Sequence, residues 1–473
     1  MNLRTSLFEH QRPAVEKLLP TRVGGLFMDM GTGKTRCAIE LIARRFGRID
    51  RVLWFCPVAL KETICQEILK HTDARPAAIC VFDDRTNMRN VPAAEWYVIG
   101  IESLSSSDRV VLTANTLITD QSYVVVDESS FIKGPHAKRT ERLTVMAERA
   151  RYRLILTGTP ISQGVVDLYA QMRFLSPKIL GFKSFYSFAA NHLEYSERFP
   201  GMVTRALRVE QLAAKIAPYV YQVTKDECLD LPPKIGEVRY YGLTREQREA
   251  YEYAKDLLLL SLADDEIDSY AIFRLFGALQ QIVSGFWHVR PHVRGGEWRM
   301  NRYPHVRLEM LNSAIAGIPD DAKVIIWCKY LLSLEEIINR LSAAHGAGAV
   351  AQFHGGLSEA QRNAELARFR GDARFFVATQ STGGHGLTLN EAHYVIFYEN
   401  GFKYSERAQA EDRCHRIGQT RPVTYVDLVA TATIDERIQR TLSDKADVLE
   451  AFRQQVRAVR GQRGKLEQLA GEL

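Results

Sequence analysis

Residues 25–35 read Gly-Leu-Phe-Met-Asp-Met-Gly-Thr-Gly-Lys-Thr, and no other stretch restricts the fold of this 473-residue chain as tightly. The apolar run Gly25-Leu26-Phe27-Met28 predicts a short buried strand. Downstream, Ala38, Ile39, Leu41 and Ile42 fall on one face of a predicted helix. Between them lies a glycine turn that ends in Lys34-Thr35. Strand, glycine turn and helix in that order are what a phosphate-binding loop requires. Gly31 and Gly33 allow the tight turn that points the amides of Met30, Gly31, Thr32 and Gly33 at phosphate oxygens, and the helix N-terminus adds partial positive charge. Lys34 is then placed to reach the terminal phosphates and the Thr35 hydroxyl to take Mg²⁺. The loop departs from G-x-x-x-x-G-K-[ST] at its first position, where Met28 stands.

The length exceeds one ordinary core and predicts two or three domains. Hydrophobic residues make up 46% and charged residues 25%, the proportions of a soluble globular protein. No apolar run reaches the ~18 residues of a membrane helix, and residues 1–10 lack the apolar stretch of a secretory signal, so the expected setting is soluble and intracellular, with no membrane partner. The cysteines, Cys37, Cys56, Cys65, Cys80, Cys228, Cys328 and Cys414, are scattered without a C-x-x-C pair and read as reduced thiols. A net charge of +6 permits a nucleic-acid partner without demanding one.

Short apolar strands alternate with helical patterns from Val52 to Leu156, and again from Val324 to Tyr398. Such alternation predicts parallel sheets flanked by helices. Between the two blocks the pattern from Asp167 to Arg274 reads as helical, broken by a joint at Leu231-Pro232-Pro233-Lys234. In the first block Val124-Val125-Val126 runs into Asp127-Glu128, and Leu154-Ile155-Leu156 runs into Thr157-Gly158-Thr159-Pro160. The carboxyl ends of parallel strands face the ligand crevice, so Asp127 can hold Mg²⁺ and Glu128 can orient and deprotonate an attacking water.

With Gln11, the Gly-Lys-Thr loop, Asp127-Glu128, and Thr157-Gly158-Thr159-Pro160 in this order, the chain resembles a superfamily-two (DEAD/DEAH-box type) helicase motor. The strings Ile132-Lys133, Phe174-Leu175-Ser176-Pro177 and Leu231-Pro232-Pro233-Lys234 are similar to its Swi/Snf-type branch of double-stranded DNA translocases. The resemblance implies two RecA-like lobes with helical insertions: lobe 1 over 1–165, an insertion and linker region over 166–305, and lobe 2 with a C-terminal helix over 306–473. It implies that Gln11 reads the adenine edge and that Lys133, Lys138 and Arg139 contact DNA phosphates. A solvated basic helix start explains those three residues equally well. Departures are visible at Asp29, where Glu is usual, at Ser129-Ser130 in place of Ala-His, and at Ile64 in place of Trp.

In the second block Gln409, Arg413 and Arg416 are spaced to share one helical face. Two forked guanidiniums there make a phosphate clamp, and closure on a nucleotide makes one of them an arginine finger. The string matches the family's Gln-x-x-x-Arg-x-x-Arg-Ile-Gly-Gln. Residues 375–387 resemble the segment that links nucleotide state to DNA grip, with Gly386 approaching the ribose or the other lobe. Thr379 and Lys329 stand at strand ends that track one DNA strand in similar motors. His385 reads as a polar loop residue. Residues 285–303 interleave aromatic and basic residues around Gly295-Gly296, which suggests a hairpin, either a plain surface connection or a nucleic-acid contact.

The expected function is an ATP- and Mg²⁺-dependent monomeric motor on double-stranded DNA. The alternatives are a strand-separating helicase on DNA or RNA, and a clamp that binds ATP without turning it over.

Overall fold

The computed structural model describes residues 1–158, 160, 165–195, 203–262, 269–289, 299–383 and 387–444. The chain divides into two compact units, Met1–Asp230 and Leu231–Leu473, and the division falls at the Leu231-Pro232-Pro233-Lys234 joint.

The first unit holds strands β1 (Val23–Met28), β2 (Arg51–Cys56), β3 (Ile79–Val81), β4 (Trp96–Gly100), β5 (Ser122–Asp127) and β6 (Tyr152–Thr157). A short hairpin, β7 (Leu193–Tyr195) with β8 (Val203–Ala206), precedes β9 (Val220–Val223). Seven strands form one sheet in the order β3-β4-β2-β5-β6-β1-β9. Each neighbouring pair in it is parallel. Central strands of such a sheet are covered on both faces, which is why β5 is a continuous buried run and not an alternating one. Val124 and Val126 pack with Leu53, Phe55 and Ile155 on one face, while Tyr123 and Val125 pack with Trp54, Leu154 and Leu156 on the other. Each such side chain contributes about 1.5–3 kcal/mol by leaving water. The helix Lys34–Arg45 buries Cys37, Ala38, Ile39, Leu41 and Ile42, as its sequence predicts. Its last residue, Arg45, is buried and donates to the carbonyls of Leu18 (2.6 Å), Leu19 (3.0 Å) and Thr21 (2.7 Å), closing the C-terminal end of the helix Arg12–Leu18.

The second unit contains β10 (Lys234–Tyr241), a hairpin of β11 (Phe286–Val289) with β12 (Arg299–Arg302), then β13 (Val324–Cys328), β14 (Val350–Phe353), β15 (Phe375–Thr379), β16 (Tyr394–Phe397) and β17 (Val423–Ala430). Its sheet has six parallel strands in the order β10-β17-β16-β13-β15-β14. The architecture is thus two lobes, each a parallel sheet flanked by helices. The region read from sequence as helical also supplies an edge strand to each sheet, β9 to the first and β10 to the second. Edge strands carry a weak local pattern because only part of each is covered, and β10 is mostly exposed on both faces. The expected hairpin within 285–303 forms at Phe286–Val289 and Arg299–Arg302, while its tip, with Gly295-Gly296, lies outside the described residues. Among the described residues no helix is long and apolar enough to cross a membrane.

Candidate functional site

In the first unit the sheet brings three loops to one edge. β1, β6 and β5 run side by side and in parallel, so the phosphate-loop candidate, Thr157-Gly158 and Asp127-Glu128 all leave the same end. Gly31 (φ 79°) and Gly33 (φ 87°) both sit in the left-handed region, and Gly33 is the N-cap of the helix Lys34–Arg45. A side chain at Gly33 would lie 2.1 Å from the Gln11 amide, so glycine is required there by contact as well as by backbone. Gln11 is buried. Its Nε2 donates to Thr32 O (3.0 Å), and its Oε1 accepts from the Phe8 N–H (3.0 Å). His10 adds a second bond to the same carbonyl through Nε2 at 2.8 Å. Thr32 Oγ1 donates to Asp29 O (2.7 Å). Lys34 Nζ donates to Met28 O (2.8 Å) and Asp29 O (3.1 Å), across the mouth of the loop. Gly158 packs on the loop from the side, where an added Cβ would stand 3.3 Å from Met30 Cγ.

Asp127 ends β5 and is buried. Burial, and then the charge of Glu128, push its carboxyl up to about 7, while Lys34 pulls the other way. An acid this reluctant to ionise is a natural ligand for a cation, which would supply the missing compensation. Glu128 has φ 52° and ψ 61°, a left-handed conformation that costs a non-glycine residue about 1–3 kcal/mol. Lys34, Thr35 and Asp127 therefore provide an ammonium, a hydroxyl at a helix N-terminus and a carboxylate that together fit a metal-bound triphosphate.

In the second unit the helix carrying Gln409 ends sooner than the spacing predicts. It spans Tyr404–Glu411, so Arg413 and Arg416 lie in the turns beyond it and not on its face. The carbonyl of Glu411 is taken by the Tyr425 hydroxyl (3.0 Å), and Gln419 Nε2 donates to the carbonyls of Ala392 (3.0 Å) and Cys414 (3.3 Å). Glu411 O still takes the His415 N–H (3.2 Å), so these side chains hold the irregular turns that follow the helix. The chain then turns at Gly418 (φ 100°) against Asn390. The two arginines converge all the same, since NH1 of each donates to Leu387 O, at 3.1 Å from Arg413 and 3.3 Å from Arg416. Arg413 Nε also donates to Gln409 O (2.9 Å), which ties the third member to the pair. Gly386, His385 and Thr159 lie outside the described residues.

The nucleic-acid candidates are dispersed. Lys133 Nζ is 3.7 Å from Asp167 Oδ2, and the Arg139 guanidinium lies over the Phe131 ring at 5.4 Å. Lys138 is exposed at the first position of the helix Lys138–Ala147. Thr379 is buried at the end of β15. Lys329 is turned inward, with its Nζ bonded to Gln280 Oε1 and 3.3 Å from the centre of the Phe402 ring, and burial pushes its ammonium down to about 7. The sequence gives no sign of the part played by His10 beyond its adjacency to Gln11. The Asp29 carboxylate accepts from the Lys225 N–H (2.9 Å) just beyond β9, a structural task for the residue that departs from Glu.

Residues 10–284 match the SNF2-related domain, more than half of the chain, and residues 307–418 match the helicase conserved C-terminal domain. The chain belongs to the SNF2-related family. Relatives within it include the TATA-binding protein-associated factor mot1 of Aspergillus fumigatus, 26% identical over 90% of this chain and 25% of that protein. Another is the chromodomain-helicase-DNA-binding protein 1-like of Danio rerio, 25% identical over 87% of this chain and 40% of that protein. The chain thus spans a quarter to two fifths of the length of these SNF2-related proteins. A solved SWI2/SNF2 ATPase core of Sulfolobus solfataricus in complex with double-stranded DNA is 23% identical, aligned over all of this chain and 98% of that one, with a TM-score of 0.44.

Proposed function

We propose that this SNF2-related chain is an ATP-dependent motor on double-stranded DNA. One observation carries the reading most directly. Lys34, the buried carboxylate of Asp127 and the strained Glu128 meet at one sheet edge, beside a glycine loop that has the conformation a phosphate needs. In this reading the loop amides from Met30 to Gly33 and the Lys34 ammonium bind the phosphates, while Gln11 holds the adenine. Thr35 and Asp127 would hold Mg²⁺, which supplies charge neutralisation on the phosphates when bound. Glu128 orients a water and accepts its proton. Arg413 and Arg416, held together at Leu387 O, would offer forked positive charge to the oxygens that gain charge during transfer. Catalysis of this kind is positioning and electrostatics, so it works only when all these groups meet.

Coupling to DNA follows from the same requirement. A step that assembles and releases the arginine pair moves whatever each unit grips. Backbone contact without sequence preference suits a tracking motor. Lys138 and Arg139 stand at the start of a helix, where cations oppose the helix dipole, and a phosphate there would be met by both the cations and the helix N-terminus.

The test is ATP hydrolysis by the full chain with duplex DNA, single-stranded DNA and RNA compared at equal nucleotide concentration. Duplex should stimulate most. Equal or greater stimulation by a single strand would replace this reading with a strand-separating helicase. Glu128→Gln should bind ATP and DNA but turn over about 10²–10⁴-fold more slowly; undiminished turnover would remove Glu128 from its role.

A further inference from the structure

The helix Val166–Leu175 is apolar along most of its length and buried, yet Gln171 sits in the middle of it with no exposure. A buried primary amide must satisfy a carbonyl and two N–H groups. Gln171 does so by reaching two catalytic segments at once. Its Oε1 accepts from Ser129 Oγ at 2.6 Å, and Ser129 directly follows Glu128. Its Nε2 donates to Pro160 O at 2.8 Å, in the loop that leaves β6, and to Asp167 O at 2.9 Å in its own helix. The orientation of the amide is forced, because flipping it would set its oxygen against two carbonyls. One turn earlier on the same helix, Asp167 Oδ2 lies 3.7 Å from Lys133 Nζ, a second link to the segment after Glu128.

We propose that Gln171 is a positioning residue that fixes the strained Glu128 turn relative to the loop after β6, so that the hydrolytic step depends on it while ATP binding does not. The proposal rests on the motor reading above. It answers a question raised by Ser129-Ser130, where similar motors commonly have Ala-His. The serine hydroxyl and a helix glutamine here make the connection between the Asp-Glu and Thr-Gly-Thr segments. No group of Gln171 reaches the reacting atoms. Its effect is geometric, holding Glu128 where a misplacement of about 1 Å costs on the order of 10² in rate.

Three full-length variants test this: Ser129→Ala, Gln171→Leu, and the two combined. Each single change leaves a buried polar group without its partner, so a loss of activity alone would not separate stability from positioning. The double variant removes the Ser129–Gln171 pair as a unit and takes the Nε2 donor only from backbone carbonyls, at Pro160 and Asp167, a smaller cost to folding than a stranded side chain. It should melt within a few degrees of wild type and keep its KM for ATP within about twofold, while kcat falls by about tenfold or more. Ser129→Ala, which removes one hydroxyl, should show the same split more weakly. A double variant with wild-type kcat would overturn the proposal and reduce the pair to core packing. So would a loss expressed in KM alone. If wild type hydrolyses ATP without responding to duplex DNA, the motor reading fails, and the kcat comparison still decides the role of Gln171. If wild type does not hydrolyse ATP at all, both fall.

Discussion

The two units share an architecture and differ in the donors that surround the carboxylates at their strand ends. At the strand ends of the first sheet, Asp127 is buried beside Glu128, and the Lys34 charge and the Glu128 N–H (3.0 Å) offset only part of the cost, so its carboxyl is pushed up to about 7. At the strand ends of the second sheet the carboxylates are enclosed by donors. Glu399, two residues past β16, accepts from Ser333 Oγ (2.6 Å) and from the backbone N–H groups of Lys329 (2.9 Å) and Tyr330 (3.2 Å). Fully buried Arg307 lies 3.7 Å from the same carboxylate and pairs with Asp435, while its other donors meet Tyr241 and Ser284. Nearby, Arg407 stacks on Phe397 at 3.5 Å and binds Asp427, whose Oδ1 also accepts from Asn400 Nδ2 (2.8 Å). Glu399 and Asp427 are matched by donors on several sides, while Asp127 is held well above the usual carboxylate range. A buried charge with a complete set of partners holds a fold together, whereas one short of partners marks where chemistry enters.

That contrast can be broken by experiment. The largest effect is expected at the arginine pair of the second unit. Arg416→Ala and Arg413→Ala should each lower kcat for ATP by about 10³-fold or more, with the melting temperature held within a few degrees. A loss of only severalfold in both would make the pair structural and place its carbonyl contacts among the closed networks.

Next comes the network itself. Arg307→Met strands Asp435 and Glu399 in a dry interior and should destabilise the second unit by about 3–5 kcal/mol. Calorimetry of the full chain should show an early transition that wild type lacks. A wild-type thermogram would show that these carboxylates do not need their arginine.

The smallest effect carries the opposite sign. The Asp127 carboxyl is raised from 3.8 to about 7, so its ionisation opposes folding. The penalty is absent below pH ~4, grows as pH rises toward 7 and is constant above. Asp127→Asn, without nucleotide and with a chelator, should therefore melt a few degrees higher than wild type at pH 8, and the gain should shrink to nothing near pH 4, while hydrolysis is lost. A lower melting point at pH 8 would mean that the carboxylate is already compensated, and the contrast between the two edges would collapse.

What the sequence makes legible follows from how local each feature is. The glycine loop and the carboxylate pair are each a contiguous string of residue types with few alternative uses, so both stand out in the sequence, and the parallel sheet brings them to one end. The end of the helix at Glu411 was not legible, because the groups that hold the turns after it, Tyr425, Gln419 and Asn390, come from outside them. Gln171 was visible as a glutamine among Leu168, Tyr169, Ala170 and Met172, but nothing nearby says that its partners are Ser129 and Pro160. The edge strands β9 and β10 were lost in a helical stretch because edges carry half a pattern.

One detail of the first sheet governs how a pull would travel. β9 lies directly against β1, and the Asp29 carboxylate at the foot of the phosphate loop holds the Lys225 amide just past β9. From Lys225 the chain runs a short way to Leu231-Pro232-Pro233-Lys234 and out of the unit. The loop is therefore tethered to the exit cable of its own lobe. Any displacement of Asp29 draws directly on the segment that leads to the second unit, with no need to pass through the core.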